Sequence, residues 1–267
     1  MGPEKLDRQA ARHEIPFSRL TMGTFLLVHG AWHSGWCWNK VIPCLQQSGH
    51  RVITPDLPGH GNHPCKAADV TLRLYTDYVR EIVDRQPEPV ILVGHSMAGI
   101  VISEVAEQIP DRIARLVYLT AFLLDDGQTL LEITQKDSEG LVLPNLVYSR
   151  DRRSATVKDS IVQEAFYNDC SPEDVLLAKS RLVPQPLAPL STPVHVTQLK
   201  WGSVPRSYIQ CNLDRAVSPA VQEKMQENLP CDQVLAINTG HSPFLSAAED
   251  LADTLDRLSG NESVSGG

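Results

Sequence analysis

The chain has 267 residues, 42% of them hydrophobic and 21% charged, which is enough to bury a large core, and α/β chains of this length are often one domain. A formal net charge of −8 argues against nucleic acid or an anionic membrane as the main partner, since both need clustered Lys and Arg. No apolar stretch approaches the roughly 20 residues of a membrane span.

Residues 1–21 are charged and lack a signal-peptide apolar core, so they are expected to be a flexible extension ahead of an alternative start at Met22-Gly23. Phe25-Leu26-Leu27-Val28 is a short buried-strand run, and His29-Gly30-Ala31-Trp32 after it is a loop in which Gly30 lets the backbone approach a ligand closely. Val52-Ile53-Thr54 is a second strand, and Asp56 beyond it is expected to fix its turn. Tyr75, Tyr78, Val79, Ile82 and Val83 recur at helical spacing.

Next, Pro89-Val90-Ile91-Leu92-Val93 runs into Gly94-His95-Ser96-Met97-Ala98-Gly99 and then Ile100-Val101-Ile102, a strand, a tight turn carrying a serine, and a helix. That order is a nucleophile elbow, which lifts a hydroxyl clear of the sheet and aims a helix N-terminus at the reacting oxygen. The fifth position is Ala98 rather than glycine, with Gly99 relieving crowding one step on.

Ile113-Ala114-Arg115-Leu116-Val117-Tyr118-Leu119 is the next strand, after which the alternation of strands and helices stops. Residues 122–204 carry Pro144, Pro172, Pro184, Pro186, Pro189 and Pro193 among short amphipathic pieces, which suits a cap inserted over the strand ends. Its run Leu141-Val142-Leu143-Pro144-Asn145-Leu146-Val147 points to a mainly hydrophobic pocket. The rhythm returns with the strands Tyr208-Ile209-Gln210-Cys211 and Val234-Leu235-Ala236-Ile237, then a last helix with a stripe of Phe244, Ala248, Leu251, Leu255 and Leu258. Residues 259–267 read as a disordered tail. The fold class is therefore α/β, with a mostly parallel central sheet, helices on both faces, a core over 22–121 and 205–258, and the inserted cap.

Ser96 needs a base, an acid and oxyanion donors. Asp214 follows one late strand and His241 the other, so serine, acid and histidine come in the order 96, 214, 241. Asp125 and Asp126, beyond the strand that ends near Phe122, are the alternative acids. The amides of Ala31 and of Met97 are the expected oxyanion donors, and Gly30 and Trp32 the expected substrate contacts. His95 is expected to pack beneath the turn, His29 to order the oxyanion loop, and His33, His60 and His63 to be loop residues. The cysteines at 37, 44, 65, 170, 211 and 231 show neither C-x-x-C nor metal-ligand spacing with the histidines. They read as reduced, mostly buried thiols of a cytoplasmic protein that needs no metal or other cofactor.

The elbow and residue order resemble the α/β-hydrolases. The runs Leu27-Val28-His29-Gly30-Ala31-Trp32-His33-Ser34-Gly35-Trp36-Cys37-Trp38, Gly49-His50-Arg51-Val52 and Asp56-Leu57-Pro58-Gly59-His60-Gly61 are similar to the subgroup of plant methylesterases, hydroxynitrile lyases and small bacterial carboxylesterases. The resemblance implies a serine esterase acting on a small-molecule ester, with a homodimer as one form. It also implies rivals: a hydroxynitrile lyase, a ligand receptor on the same fold, and a cofactor-free dioxygenase. The lyases typically carry threonine in the oxyanion loop and lysine after the catalytic histidine, where this chain has Gly30 and Ser242.

Overall fold

The computed structural model describes residues 22–260, so the expected extension over 1–21 and the tail from 261 onward lie outside the described residues. The strands are β1 Thr24–Val28, β2 Arg51–Ile53, β3 Val90–His95, β4 Ile113–Leu119, β5 Leu146–Tyr148, β6 Ser154–Val157, β7 Gln185–Pro186, β8 Arg206–Cys211 and β9 Gln233–Ile237. The helices are α1 Val41–Gln47, α2 Leu72–Asp84, α3 Ala98–Gln108, α4 Leu130–Lys136, α5 Asp159–Phe166, α6 Pro172–Arg181, α7 Ala188–Ser191, α8 Pro219–Asn228, α9 Pro243–Ser246 and α10 Ala248–Ser259.

The main sheet has the order β2-β1-β3-β4-β8-β9, and every pairing in it is parallel. Parallel strands need helices on both faces, and the helices pair accordingly, α1 with α10 and α2 with α3. All six residues of β3 are buried, whereas the edge strands β2 and β9 are partly exposed. The chain moves outward from β1 to β2, then returns to place β3 on the other side of β1. At such a switch point the connections leaving the two strands diverge and open a crevice beyond their carboxyl ends. The loop after β1 and the turn after β3, carrying Ala31 and Ser96, both start there.

Side-chain caps fix several helix starts: Thr71 Oγ1 accepts from Leu74 N–H at 3.1 Å and Ser218 Oγ from Val221 N–H at 3.3 Å. The last apolar stripe spans two helices rather than one. Ala247, at φ −144 and ψ 50, interrupts the turn, so that Phe244 belongs to α9 while Leu251, Leu255 and Leu258 are buried along α10. Each of those leucines contributes about 1.5–3 kcal/mol by leaving water. Ser259 ends α10, so the helix extends one residue into the stretch read as tail.

Between β4 and β8 the chain builds α4 to α7 and a three-stranded antiparallel sheet in the order β5-β6-β7. All six cysteines are free; Cys37 and Cys211 are buried, and the other four are half-buried rather than buried.

Candidate active site

Ser96 sits between β3 and α3 with φ 53, a left-handed conformation that a non-glycine residue keeps only where its surroundings over-determine it. Those surroundings are the end of β4: Ser96 N–H donates to the Leu119 carbonyl at 3.2 Å, and Phe122 N–H donates to the Ser96 carbonyl at 3.1 Å. The crowding that favours small residues here falls on Gly94 and Gly99. A Cβ on Gly94 would lie 2.8 Å from the Ala98 carbonyl oxygen, and one on Gly99 2.3 Å from that of Phe122. Ala98, at the fifth position of the motif, is fully buried.

His241 and Asp214, 27 residues apart, meet at the ends of β8 and β9: His241 Nδ1–H donates to Asp214 Oδ2 at 2.7 Å, and both side chains are buried. The other carboxylate oxygen, Oδ1, accepts from Ala216 N–H at 2.6 Å and Val217 N–H at 2.9 Å. The Thr120 hydroxyl also donates to Asp214 Oδ2. Sequence reasoning missed Thr120. A β-branched residue at φ 39, it sits just past β4 and is held by an N–H bond to the Ile209 carbonyl at 2.8 Å. Asp125 and Asp126 are exposed and bonded within their own turn and to residues 195–196, so neither takes the place of Asp214.

Ser96, His241, Ala31 and Met97 line one cavity of about 820 Å³ including its open mouth. The Ser96 hydroxyl makes no hydrogen bond to another described residue, and among the described residues neither the Ala31 nor the Met97 N–H has an acceptor. Catalytic hydrogen bonds commonly tighten only around a substrate. The rest of the wall is mainly apolar, with Leu130, Val142, Leu143, Leu146, Phe166 and Leu190 among its residues, and His241 is the only titratable side chain in it besides the Tyr148 phenol. Trp32 lines this cavity. Gly30 does not: it lies behind the wall, where an added Cβ would meet His95 Nδ1 at 2.8 Å and Ser96 Cβ at 2.9 Å.

Four histidines are buried around the site. His29 Nδ1–H donates to the Gly30 carbonyl at 2.8 Å, and its Nε2 accepts from Leu57 N–H at 3.0 Å. His95 Nε2–H donates to the His241 carbonyl at 2.9 Å beneath the elbow. Burial pushes both imidazoles well below their usual range. His33 and His60 do lie in loops, yet they are buried and join distant segments. His33 Nε2 accepts from the Tyr167 hydroxyl at 2.7 Å, and His60 Nε2–H donates to Gln185 Oε1 at 2.9 Å. Asp56 fixes its turn, accepting from Gly35 N–H at 2.8 Å and Asn62 N–H at 2.9 Å.

Residues 25–254 match the family model described as the alpha/beta hydrolase family. The chain is 32% identical over 257 residues to the pyrethroid hydrolase of Sphingobium wenxiniae, covering 88% of this chain and 87% of that one. It is 31% identical over 255 residues to methylesterase 9 of Arabidopsis thaliana, covering 89% and 98%. A longer chloroplastic relative from the same plant matches at 32% identity, and this chain spans only 56% of its length. The crystal structure of polyneuridine aldehyde esterase superposes with a TM-score of 0.81 at 26% identity, over 90% of this chain and 100% of that one. The chain belongs to the alpha/beta hydrolase family, on the branch that holds the methylesterases.

Proposed function

We propose that this protein is a serine hydrolase that cleaves small, mainly hydrophobic carboxylic esters through an acyl-enzyme. The observation that carries the reading is the convergence, on one apolar cavity, of an elbow serine, a histidine bonded to a buried aspartate, and two backbone amides without acceptors. The names of the relatives, a methylesterase and a pyrethroid hydrolase, agree with an ester as substrate.

In the proposed sequence, Ser96 Oγ attacks the ester carbonyl while His241 Nε2 takes its proton, and the amides of Ala31 and Met97 hold the oxyanion. The tetrahedral intermediate collapses as the imidazolium returns that proton to the departing alkoxide, leaving an acyl-serine and an alcohol. Water, deprotonated by the same imidazole, then attacks the acyl-serine and releases the acid and the free hydroxyl. Asp214 keeps Nδ1 protonated throughout, so that Nε2 is the basic nitrogen. Gly30 in the oxyanion loop and Ser242 after the histidine, buried and without a polar partner, favour this reading over the lyase.

The test is turnover of p-nitrophenyl esters of increasing acyl length by the wild type and by Ser96→Ala. Short to medium chains are expected to be hydrolysed by the wild type alone. Binding of esters without turnover would point to a receptor instead.

A further inference from the structure

The loop that carries the Ala31 amide is clamped from two directions. On the core side, His29 Nδ1–H donates to the Gly30 carbonyl at 2.8 Å. A trans peptide points its C=O and N–H in opposite directions, so this bond aims the Ala31 N–H away from His29. The following peptide is held by His33, whose Nδ1–H donates to the Ala31 carbonyl at 2.8 Å. With the proton on Nδ1, His33 Nε2 carries a lone pair, and that lone pair accepts the Tyr167 hydroxyl at 2.7 Å. Burial lowers the His33 pKa to about 3, so the ring stays neutral; the Ala31 carbonyl, which can only accept, keeps the proton on Nδ1, and the Tyr167 hydroxyl anchors the far end of the ring at Nε2.

Tyr167 directly follows α5 in the segment between β4 and β8, 134 residues from His33. The same segment holds Trp32 on three sides. Val183 N–H donates to the Trp32 carbonyl at 3.0 Å, Trp32 Nε1–H donates to the Ala155 carbonyl at 2.9 Å, and Trp32 N–H reaches Gln185 Oε1 at 3.4 Å. Trp32 has φ 63, so these bonds hold the residue after the oxyanion donor in a conformation that a tryptophan rarely adopts.

We propose that Tyr167 is a positioning residue which, by fixing the tilt of the His33 ring, seats the Ala31 amide in the oxyanion hole, so that the hole is complete only while the cap is in place. The inference rests on the acyl-enzyme reading above. It gives a role to the bonds at the two ring nitrogens of His33.

Tyr167→Phe removes one hydroxyl and keeps the ring. The assay compares kcat and KM for a p-nitrophenyl ester with inhibition by a trifluoromethyl ketone, whose adduct with a serine bears the same oxyanion. The expected result is a fall in kcat of about ten- to hundredfold, below the roughly 10²–10³-fold cost of deleting an oxyanion donor outright. Affinity for the ketone is expected to fall in parallel, with KM nearly unchanged. His33→Asn supplies the control, because an asparagine Nδ2–H can take over the donation to Ala31 without needing Tyr167. In that background, adding Tyr167→Phe is expected to change kcat by less than about twofold, a non-additive cycle.

A wild-type kcat for Tyr167→Phe, a loss confined to KM, an equal loss in both backgrounds, or a loss that tracks a lower thermal midpoint would overturn the proposal. A wild type that turns over no ester and reacts with no fluorophosphonate would instead refute the acyl-enzyme reading.

Discussion

Asp214→Asn is the substitution whose outcome the geometry constrains most. The amide nitrogen can stand in place of either carboxylate oxygen. At Oδ1 it would face two backbone donors, the N–H groups of Ala216 and Val217 at 2.6 and 2.9 Å, so that orientation is disfavoured. The nitrogen therefore takes the Oδ2 position, opposite the Thr120 hydroxyl, which can rotate to accept, and His241 Nδ1 at 2.7 Å. An amide N–H there requires Nδ1 to accept, which moves the imidazole proton to Nε2 and presents Ser96 with a donor instead of a base. The matching substitution in a serine protease lowers turnover by about 10⁴-fold, or about 5.4 kcal/mol of barrier, and a loss of that order is expected here. The assay is p-nitrophenyl ester turnover at neutral pH beside a thermal melt, with Asp125→Asn and Asp126→Asn as controls expected to stay within a few-fold of wild type. An Asp214→Asn variant within about tenfold of wild type, or a crippled Asp125 or Asp126 variant, would rule out Asp214 as the residue that sets the His241 tautomer.

Gly30→Ala places a methyl 2.8 Å from His95 Nδ1 and 2.9 Å from Ser96 Cβ, so turnover is expected to fall at least tenfold through a displaced oxyanion loop; unchanged kinetics would show that the loop can yield. Gly99→Ala meets the Phe122 carbonyl at 2.3 Å and is expected to cost about 1–3 kcal/mol in urea unfolding, the usual penalty of overpacking. Burial depresses the imidazoles of His29, His33 and His95, so the unfolded chain binds more protons than the folded one once pH drops below about 6.5. Stability contributed by keeping them neutral is present above that pH and lost as pH falls. Three such groups give a slope of about 4 kcal/mol per pH unit near pH 5.5, measurable by urea unfolding at several pH values, and a flat profile between pH 7 and 5 would contradict it. Among the described residues no three His, Cys, Asp or Glu side chains could jointly hold a metal ion, and turnover is expected to survive EDTA; activity lost to the chelator and restored by zinc would require a different mechanism.

The features legible in the sequence are those written in short runs. The apolar stretches around Ile91, Leu116 and Ile209 became β3, β4 and β8 because their spacing and turn residues are local signals. The elbow at Ser96 was legible for the same reason. His241 and Asp214 could be paired from their positions after the last two strands, and the structure brings them to 2.7 Å. Contacts made across long separations left no such trace. Nothing near Thr120 signals its bond to Asp214, 94 residues away. Gln185, which gathers His60, Tyr75 and Trp32 into one buried network, sits in a two-residue strand beside a proline, where no periodicity can build. His33 and His60 read as loop residues because their loops are irregular, although distant segments bury them. The three-stranded sheet between β4 and β8 was equally hidden, its strands being two to four residues long.

In the proposed mechanism Ser96 carries the acyl group. Rapid acid quenching of the enzyme during turnover of a p-nitrophenyl ester, followed by peptide mass mapping, locates that group. One acyl adduct is expected on the peptide containing Ser96, accumulating in the wild type and absent from Ser96→Ala. Efficient ester turnover with no adduct at Ser96, or an adduct on another residue that persists in Ser96→Ala, would contradict it.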